Sequence, residues 1–399
     1  MAKARRQLPY GTVALVLQGG GALGAYQAGV YEGLDEEGIR PDWIAGISIG
    51  AFNSAIIAGN PPETRCARLR QFWETICRPA FPHPSADLLQ RWIDVLGGEA
   101  RKIFGAFQAW RGVLEGQRGF FVPRLPPPWA AVELPPEKAS YYDNTQLKAT
   151  LESLVDFDRI NAGETRVSVS AVNVRTGNFD YFDNTCGTWK GRLRAEHFMA
   201  SGALPPGFPP VEIDGEWYWD GGLVSNTPLL RVLQAWPRTD TLAFQVDLWS
   251  SKGVVPNNIW DVHERQKDIQ YSSRTRAITD LMSREQRLRH LIRELLERIP
   301  PDRRRDPCYT QASLWASDRR VNVIHLIYRE KEWDGMAKDY EFDPLSMHDH
   351  WQSGLEDIRH SLGHEEWLTP PAGGRNFVTH DLHRHRHRGQ GNGTGPGTD

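Results

Sequence analysis

Three short motifs carry residue types that can do chemistry. Gly19-Gly20-Gly21-Ala22-Leu23-Gly24 comes first, Gly46-Ile47-Ser48-Ile49-Gly50 second and Asp220-Gly221-Gly222 last. The second has the G-x-S-x-G spacing in which a serine sits on a sharp strand-to-helix turn and projects its hydroxyl from a sheet. Gly46 and Gly50, two residues to either side, remove side chains that would clash in so tight a turn. The N-terminus of the following helix favours negative charge developing on the reacting group. Ser48 is therefore the candidate nucleophile. The plainer reading is a tight turn whose serine caps a helix.

A serine nucleophile needs a base, and its tetrahedral intermediate needs donors for an oxyanion. The first motif also fits the glycine spacing of a dinucleotide fingerprint. A Rossmann unit, however, places an acidic residue about 20 residues on, at the end of the second strand. Here that strand runs into Gly46-Ile47-Ser48, and Asp42 precedes it. The other reading is an oxyanion hole, because consecutive glycine amides at a helix N-terminus can point at one developing charge. For the base, an ordinary α/β-hydrolase supplies Asp or Glu and then His after the serine, with several strands before the elbow. Ser48 follows only the second strand, and none of the 13 histidines has a comparable strand-end glycine context. His197 lies in a helix-like stretch and reads as structural. Asp220 ends a strand, and the two glycines after it leave space around its carboxylate. A Ser–Asp dyad is chemically feasible once that carboxylate is desolvated enough to accept the serine proton.

The elements that must position these motifs follow from periodicity. A continuous apolar run over 12–17 predicts a strand buried on both faces. A helix over 25–37 follows, closed by Gly38, then a strand over 43–47 and a small-residue helix over 51–58, stopped by Asn60-Pro61-Pro62. This is a βαβ unit with a parallel sheet. Residues 61–140 are rich in proline and aromatics and read as an insertion over the core, either a roof for an acyl pocket or a shield for the sheet. Hairpins are predicted over 165–183 and 211–219, the second turning at Asp214-Gly215, a type I′ signal. Strands are expected over 242–248 and 322–328, and a helix over 344–362. Leu281, Leu288, Leu291, Ile292, Leu295, Leu296 and Ile299 recur at helical spacing in an arginine-rich segment. The expectation is that this apolar stripe packs on the core while the arginines face water; the alternative is a helix lying on an anionic membrane.

The ordered triple of motifs resembles the patatin-like phospholipase family, as do Ala200-Ser201-Gly202-Ala203-Leu204-Pro205 and Asn226-x-Pro228. The likeness covers residues 10–250. It implies a three-layer α/β/α core with a mostly parallel sheet, and acyl-ester hydrolysis by a Ser48–Asp220 dyad. It also implies an oxyanion hole from the amides of Gly19, Gly20, Gly21 and Ala22, with Gly24, Gly46, Gly50, Gly221 and Gly222 as motif residues and neither cofactor nor metal. The family often has Arg or Lys where Leu23 stands; because the hole is made of amides, activity is expected to survive, whereas a role for that cation with an anionic head group is not expected to carry over. The later part, including Lys338-Asp339-Tyr340-Glu341-Phe342, resembles an extension in a bacterial subgroup and carries no assigned chemistry. The expected organisation is a catalytic domain over 1–250 with the insertion or lid at 61–140, a helical extension over 251–380, and a disordered His/Arg/Gly tail over 381–399.

Composition bounds the partners. The 399 residues carry 47 Lys plus Arg against 50 Asp plus Glu, a net charge of −3. Such a chain is a poor non-specific binder of nucleic acid, and no nucleic-acid partner is expected. Charged residues at 24% argue against wholesale disorder. Four cysteines without a C-x-x-C pair are no disulfide framework. The apolar run over 13–17 is too short for a signal peptide, and no run of 18 apolar residues suggests a membrane span. A cytoplasmic protein with peripheral membrane contact at most is expected. His348-x-His350 points two ways on a helix and is not read as a metal pair. The lead function is a serine acyl hydrolase acting on a lipid or other ester. The alternatives are a hydrolase of short esters or hydroxyalkanoate oligomers, and a non-catalytic lipid- or partner-binding module. Trp is unusually frequent at 15 residues. Trp43, Trp217 and Trp219 flank the motif strands, and Trp73, Trp92, Trp110 and Trp129 fall in the insertion.

Overall fold

The computed structural model describes residues 3–78, 105, 107, 109, 111–130, 132–272, 275–331, 337–372 and 375–382. The expectations for the tail beyond 382, and for Trp92 and Trp110, lie outside these residues. Strand β1 (Thr12–Leu17) is buried along nearly its whole length, as its apolar run requires. Helix α1 (Ala25–Glu36) returns the chain to β2 (Trp43–Gly46), which runs parallel to β1 with Leu17 opposite Gly46. Helix α2 (Ile49–Ala58) starts two residues earlier than the sequence suggests, directly after Ser48. Helix α3 (Arg65–Ile76) packs Leu69, Phe72 and Trp73 into the core.

A two-stranded antiparallel sheet joins β3 (Val122–Pro123), within the insertion, to β4 (Tyr142–Asp143), just after it. Helices α4 (Thr145–Leu154) and α5 (Phe157–Ala162) lead to the predicted hairpin, β5 (Arg166–Asn173) and β6 (Phe179–Asp183). Helix α6 (Ala195–Ser201) precedes the second hairpin, β7 (Val211–Ile213) and β8 (Glu216–Asp220). Its turn residues Asp214 and Gly215 both have positive φ, 51° and 86°, as a type I′ turn demands. Helix α7 (Leu229–Leu233) leads to β9 (Thr241–Asp247), parallel to β1 on the side away from β2.

The later part of the chain contains α8 (Ile259–Tyr271), α9 (Thr275–Glu297), α10 (Pro307–Trp315), β10 (Val321–Ile327), α11 (Pro344–Leu362) and β11 (Phe377–Asp381). It is helical, as expected, but it also lengthens the sheet. β10 pairs with β9, and β11, which periodicity did not reveal, pairs with β10. Among the described residues the main path of the sheet is β11-β10-β9-β1-β2-β5-β8-β7, with β6 also on β5. The neighbours from β11 to β5 are parallel. Helix α11 covers α1, and the two approach so closely that a Cβ on Gly29 would lie 1.9 Å from the Trp351 carbonyl oxygen.

Helix α9 corrects the sequence reading. Its buried face is Thr279, Met282, Gln286, Arg289 and Leu296, whereas Leu281, Leu288, Leu291 and Leu295 are exposed. Polar contacts fix the choice. Arg289 bonds Glu285 one turn back and donates to the Trp315 carbonyl at 3.2 Å, while Met282 joins a core cluster with Val321 and Val323. No helix among the described residues is long and apolar enough to cross a membrane.

Candidate active site

The turn between β2 and α2 consists of Ile47 and Ser48. Ser48 has φ 55° and ψ −125°, a strained backbone for a residue with a Cβ. Its amide is held at 3.1 Å by both the carbonyl and the hydroxyl of Ser201 at the end of α6. The flanking glycines are sterically required. A Cβ on Gly46 would lie 2.3 Å from the Gly50 carbonyl oxygen, and one on Gly50 would lie 2.5 Å from that of Leu17.

Asp220 reaches this turn through β5. That strand pairs with β2 along its first half, where Gly46 faces Val169, and with β8 along its second, where Asp220 faces Ala171. Because β6 pairs with both halves of β5, β2 and β8 must share the opposite edge, end to end. The last residue of β8 thereby meets the end of β2. The Asp220 carboxylate is buried and accepts from the Gly222 amide at 2.7 Å and from the Ser48 hydroxyl. Burial pushes its pKa up to about 7, and the two hydrogen bonds restrain the rise. Gly221 opens a short 3-10 turn, with no room for a Cβ against the Ser170 carbonyl, 2.7 Å away.

The glycine-rich loop passes beside the pair. A Cβ on Gly19 would lie 2.9 Å from that of Ser48, and Gly21 has φ 55°. Gly24 ends the loop's 3-10 turn against Ile49 and opens α1. The four amides expected to bind an oxyanion are not equivalent. Gly19 donates to the Asn226 carbonyl at 3.3 Å, and Ala22 donates to the Asp339 carbonyl at 2.9 Å. Of these four, the amides of Gly20 and Gly21 have no hydrogen-bond acceptor among the described residues. Leu23 is fully buried, so its position belongs to the core rather than to head-group recognition.

Several supporting residues escaped the sequence reading. Gln18, which ends the apolar run of β1, accepts from the amides of Leu248 and Trp249 and donates to Thr227 at 2.9 Å and the Tyr271 carbonyl at 3.1 Å. The Trp249 indole and the Asn226 amide both donate to the Gly19 carbonyl, at 2.8 and 2.9 Å. Beneath the loop, Trp73 donates to Asn53, Asn53 to Gln27, and Gln27 to the Gln18 carbonyl. These buried side chains fix the loop from below, and none of Gln18, Gln27, Asn53 and Trp73 leaves a buried polar atom without a partner. Asn226 lay in a noted motif, and Gln18 was visible as the polar stop of an apolar strand.

Ser48, Asp220, Gly20 and Gly21 line one wall of a cavity of about 310 Å³. The facing wall is aromatic: Phe120, Phe121, Tyr142, Phe208 and Phe342. Their rings interlock, Phe120 lying 5.1 Å from Phe121, 5.5 Å from Phe208 and 5.6 Å from Phe342. Val113, Phe120 and Phe121 of the described part of the insertion thus line the cavity, beside Tyr142, Phe208 and Phe342 from later in the chain. Asp339, Tyr340 and Phe342 bring the late Lys338–Phe342 run to the same place. His197 does not line the cavity. It is buried against Trp189 and Phe182, and burial lowers its pKa to about 4, so it is a neutral packing residue at neutral pH. Among the described residues no group of three or more His, Cys, Asp and Glu is arranged to hold a metal ion.

Residues 15–233 match the family described as Patatin-like phospholipase, and residues 269–373 match a second described as Patatin phospholipase. Curated relatives include "Lysophospholipase nte1" of Aspergillus terreus, 55% identical over 53 residues, or 13% of this chain and 4% of that one. "Patatin-like phospholipase domain-containing protein 6" of Mus musculus is 40% identical over 68 residues, 17% of this chain and 5% of the relative. The matched segments are thus a small part of these much longer relatives. Among solved structures, VipD from Legionella pneumophila aligns over 91% of this chain and 71% of its own, at 13% identity and a TM-score of 0.37. With more than half of its length matched by the first family, the chain belongs to the patatin-like phospholipases.

Proposed function

We propose that this protein is a lipid acyl hydrolase that works through a Ser48–Asp220 dyad and a covalent acyl-enzyme. The observation that carries the reading is the buried Asp220 carboxylate, which accepts the Ser48 hydroxyl and has its pKa pushed to about 7. An ordinary carboxylate is too weak a base for a serine proton, and one raised towards neutrality is a better match. Asp220 takes the Ser48 proton as Oγ bonds to the ester carbonyl carbon. The carbonyl π electrons move to its oxygen, and the free amides of Gly20 and Gly21 donate to that oxyanion. Removing one such donor typically costs about 3–4 kcal/mol of transition-state stabilisation. When the intermediate collapses, the C–O bond to the alcohol breaks and Asp220 returns its proton to the leaving oxygen. Water, deprotonated in turn by Asp220, then cleaves the acyl-Ser48 ester.

The aromatic cavity fits an acyl chain, and at about 310 Å³ it lies at the small end of ligand pockets. Lipid esters are accordingly the substrate class. A fluorophosphonate probe should label Ser48, and Ser48→Ala should abolish both labelling and ester turnover. Asp220→Asn should abolish turnover while the protein stays folded by circular dichroism. Full turnover in either variant rules out the dyad.

A further inference from the structure

The Lys338–Phe342 run brings Asp339, Tyr340 and Phe342 to the cavity wall, whereas Lys338 does not line the cavity. Lys338 is instead 5% exposed and enclosed by acid. Its ammonium donates to Asp268 at 2.9 Å and to Glu264 and Glu330 at 3.2 Å each. Glu264 and Asp268 lie four residues apart on α8, so both reach it from one face of that helix. Burial disfavours the ammonium charge, yet the carboxylates of Glu330, Asp268 and Glu264 hold the Lys338 pKa above the ordinary lysine value. A buried ionic cage of this kind adds little net stability over apolar packing of equal size. What it supplies is direction, because three charge-assisted bonds fix one atom.

The residue so fixed is next in sequence to the one that touches the glycine-rich loop. The Asp339 carbonyl accepts the Ala22 amide at 2.9 Å, and a Cβ on Gly21 would lie 2.2 Å from that oxygen. Lys267, also on α8, bonds the Asp339 carboxylate, so one helix grips both Lys338 and Asp339. The same helix ends at Tyr271, whose carbonyl accepts from Gln18 at 3.1 Å and from Asn226 at 3.0 Å. Those two side chains belong to the start of the loop, since Gln18 precedes Gly19 and Asn226 donates to the Gly19 carbonyl. Trp249 links the two ends: its indole donates to the Gly19 carbonyl at 2.8 Å, and its ring lies 5.6 Å from the Lys338 ammonium. Helix α8 therefore holds the loop at Gly19 through Tyr271 and at Ala22 through Lys338 and Asp339.

We infer that Lys338 is a positioning residue for the oxyanion hole: caged by Glu264, Asp268 and Glu330, it holds the Asp339 carbonyl on the Ala22 amide and so keeps the loop in the shape that leaves the Gly20 and Gly21 amides unpaired beside Ser48. The inference rests on the catalytic reading above and extends it to a residue outside the cavity. Without the ammonium, the carboxylates of Glu264, Asp268 and Glu330 face one another without the cation they share, and their repulsion drives α8 and the 338–342 run apart. The Asp339 carbonyl then leaves Ala22, and the loop loses its fixed point.

The test compares full-length wild type with Lys338→Met, Lys338→Arg and Asp268→Asn. On a soluble short-chain ester, Lys338→Met should lower kcat about 10- to 100-fold, up to the loss of one complete oxyanion donor, and leave KM unchanged. A trifluoromethyl ketone should bind more weakly by the same factor, because Ser48 Oγ bonds its carbonyl carbon, Asp220 takes the proton and the carbonyl oxygen becomes the oxyanion. Lys338→Arg keeps the charge and the donors and should recover most of the loss. In hydrogen exchange, the Ala22 amide should exchange faster in Lys338→Met while the amides of β9 keep their protection. Asp268→Asn removes the shortest of the three bonds and should show the same pattern at smaller size, which decides the matter if Lys338→Met does not fold. In a folded variant, an unchanged kcat or an unchanged Ala22 exchange overturns the proposal, as does a rise in KM with kcat intact. So does exchange that rises equally in β9, since the lysine then serves only general stability. If wild type turns over no ester, the catalytic reading fails, and the Ala22 exchange still decides the tether.

Discussion

Replacing Asp220 with asparagine should make the protein more stable while it destroys activity, and the gain should grow with pH. The folded carboxyl titrates at about 7, against an ordinary value of 3.8. Between these values the folded state holds a proton that the unfolded chain has released, so stability falls as pH rises through that window. Below about pH 4 both states are protonated and the effect is absent; above about pH 7 it is complete. The gap of about 3 pH units corresponds to about 4 kcal/mol at 1.36 kcal/mol per unit. Roughly 2–3 kcal/mol of this accrues between pH 5 and pH 8. Asparagine keeps the local bonds in this geometry. Its oxygen can still accept from the Gly222 amide, which lies 2.7 Å from Asp220 Oδ1, and its NH2 group can donate to the Ser48 hydroxyl. The charge is therefore the main thing removed.

The measurement is urea unfolding of wild type and Asp220→Asn at pH 5, 6, 7 and 8, with midpoints compared at matched m-values. The variant's advantage should widen from pH 5 to pH 7 and level off by pH 8. A difference that stays flat from pH 5 to pH 8 would refute the claim that burial raises the Asp220 pKa. A variant less stable at every pH would show that the Asp220 hydrogen bonds outweigh its desolvation. A functional site that costs stability in this way is the usual form of the stability–activity trade-off.

Two further outcomes test neighbouring parts of the structure. If Asp220 is the base, kcat/KM for a soluble ester should rise with pH along a single limb centred near 7, following the carboxylate form, and a limb centred near 4 would contradict the burial of that group. Gly29→Ala should lower stability by about 1–3 kcal/mol by calorimetry, because its Cβ would meet the Trp351 carbonyl at 1.9 Å and push α11 off α1; an unchanged transition would mean that the two helices do not pack this tightly.

The catalytic half was legible because its demands are local. A serine forced to positive φ between a strand and a helix needs Gly46 and Gly50 beside it, and that need is written within five residues. Asp220 was legible only through the two glycines after it. How it reaches Ser48 depends on β5 being long enough to seat β2 and β8 on one edge, and no motif encodes that. On α9, periodicity located the helix but misjudged which face packs. Leucines at 281, 288, 291 and 295 gave a stronger apolar stripe than Met282, Gln286 and Leu296, yet the contacts of Arg289 turned the weaker face inward. The contact that most changes the site, the Asp339 carbonyl on the Ala22 amide, is made by backbone and leaves no mark on residue type. It also gives the late segment a role. By occupying Ala22, and with Asn226 occupying Gly19, the fold leaves Gly20 and Gly21 as the adjacent unpaired donors beside Ser48. In the proposed mechanism a developing oxyanion meets two amides whose neighbours are already held, so little reorganisation is needed when charge appears. The precision of the cradle comes in part from Asp339, which lies 291 positions after Ser48 in the sequence.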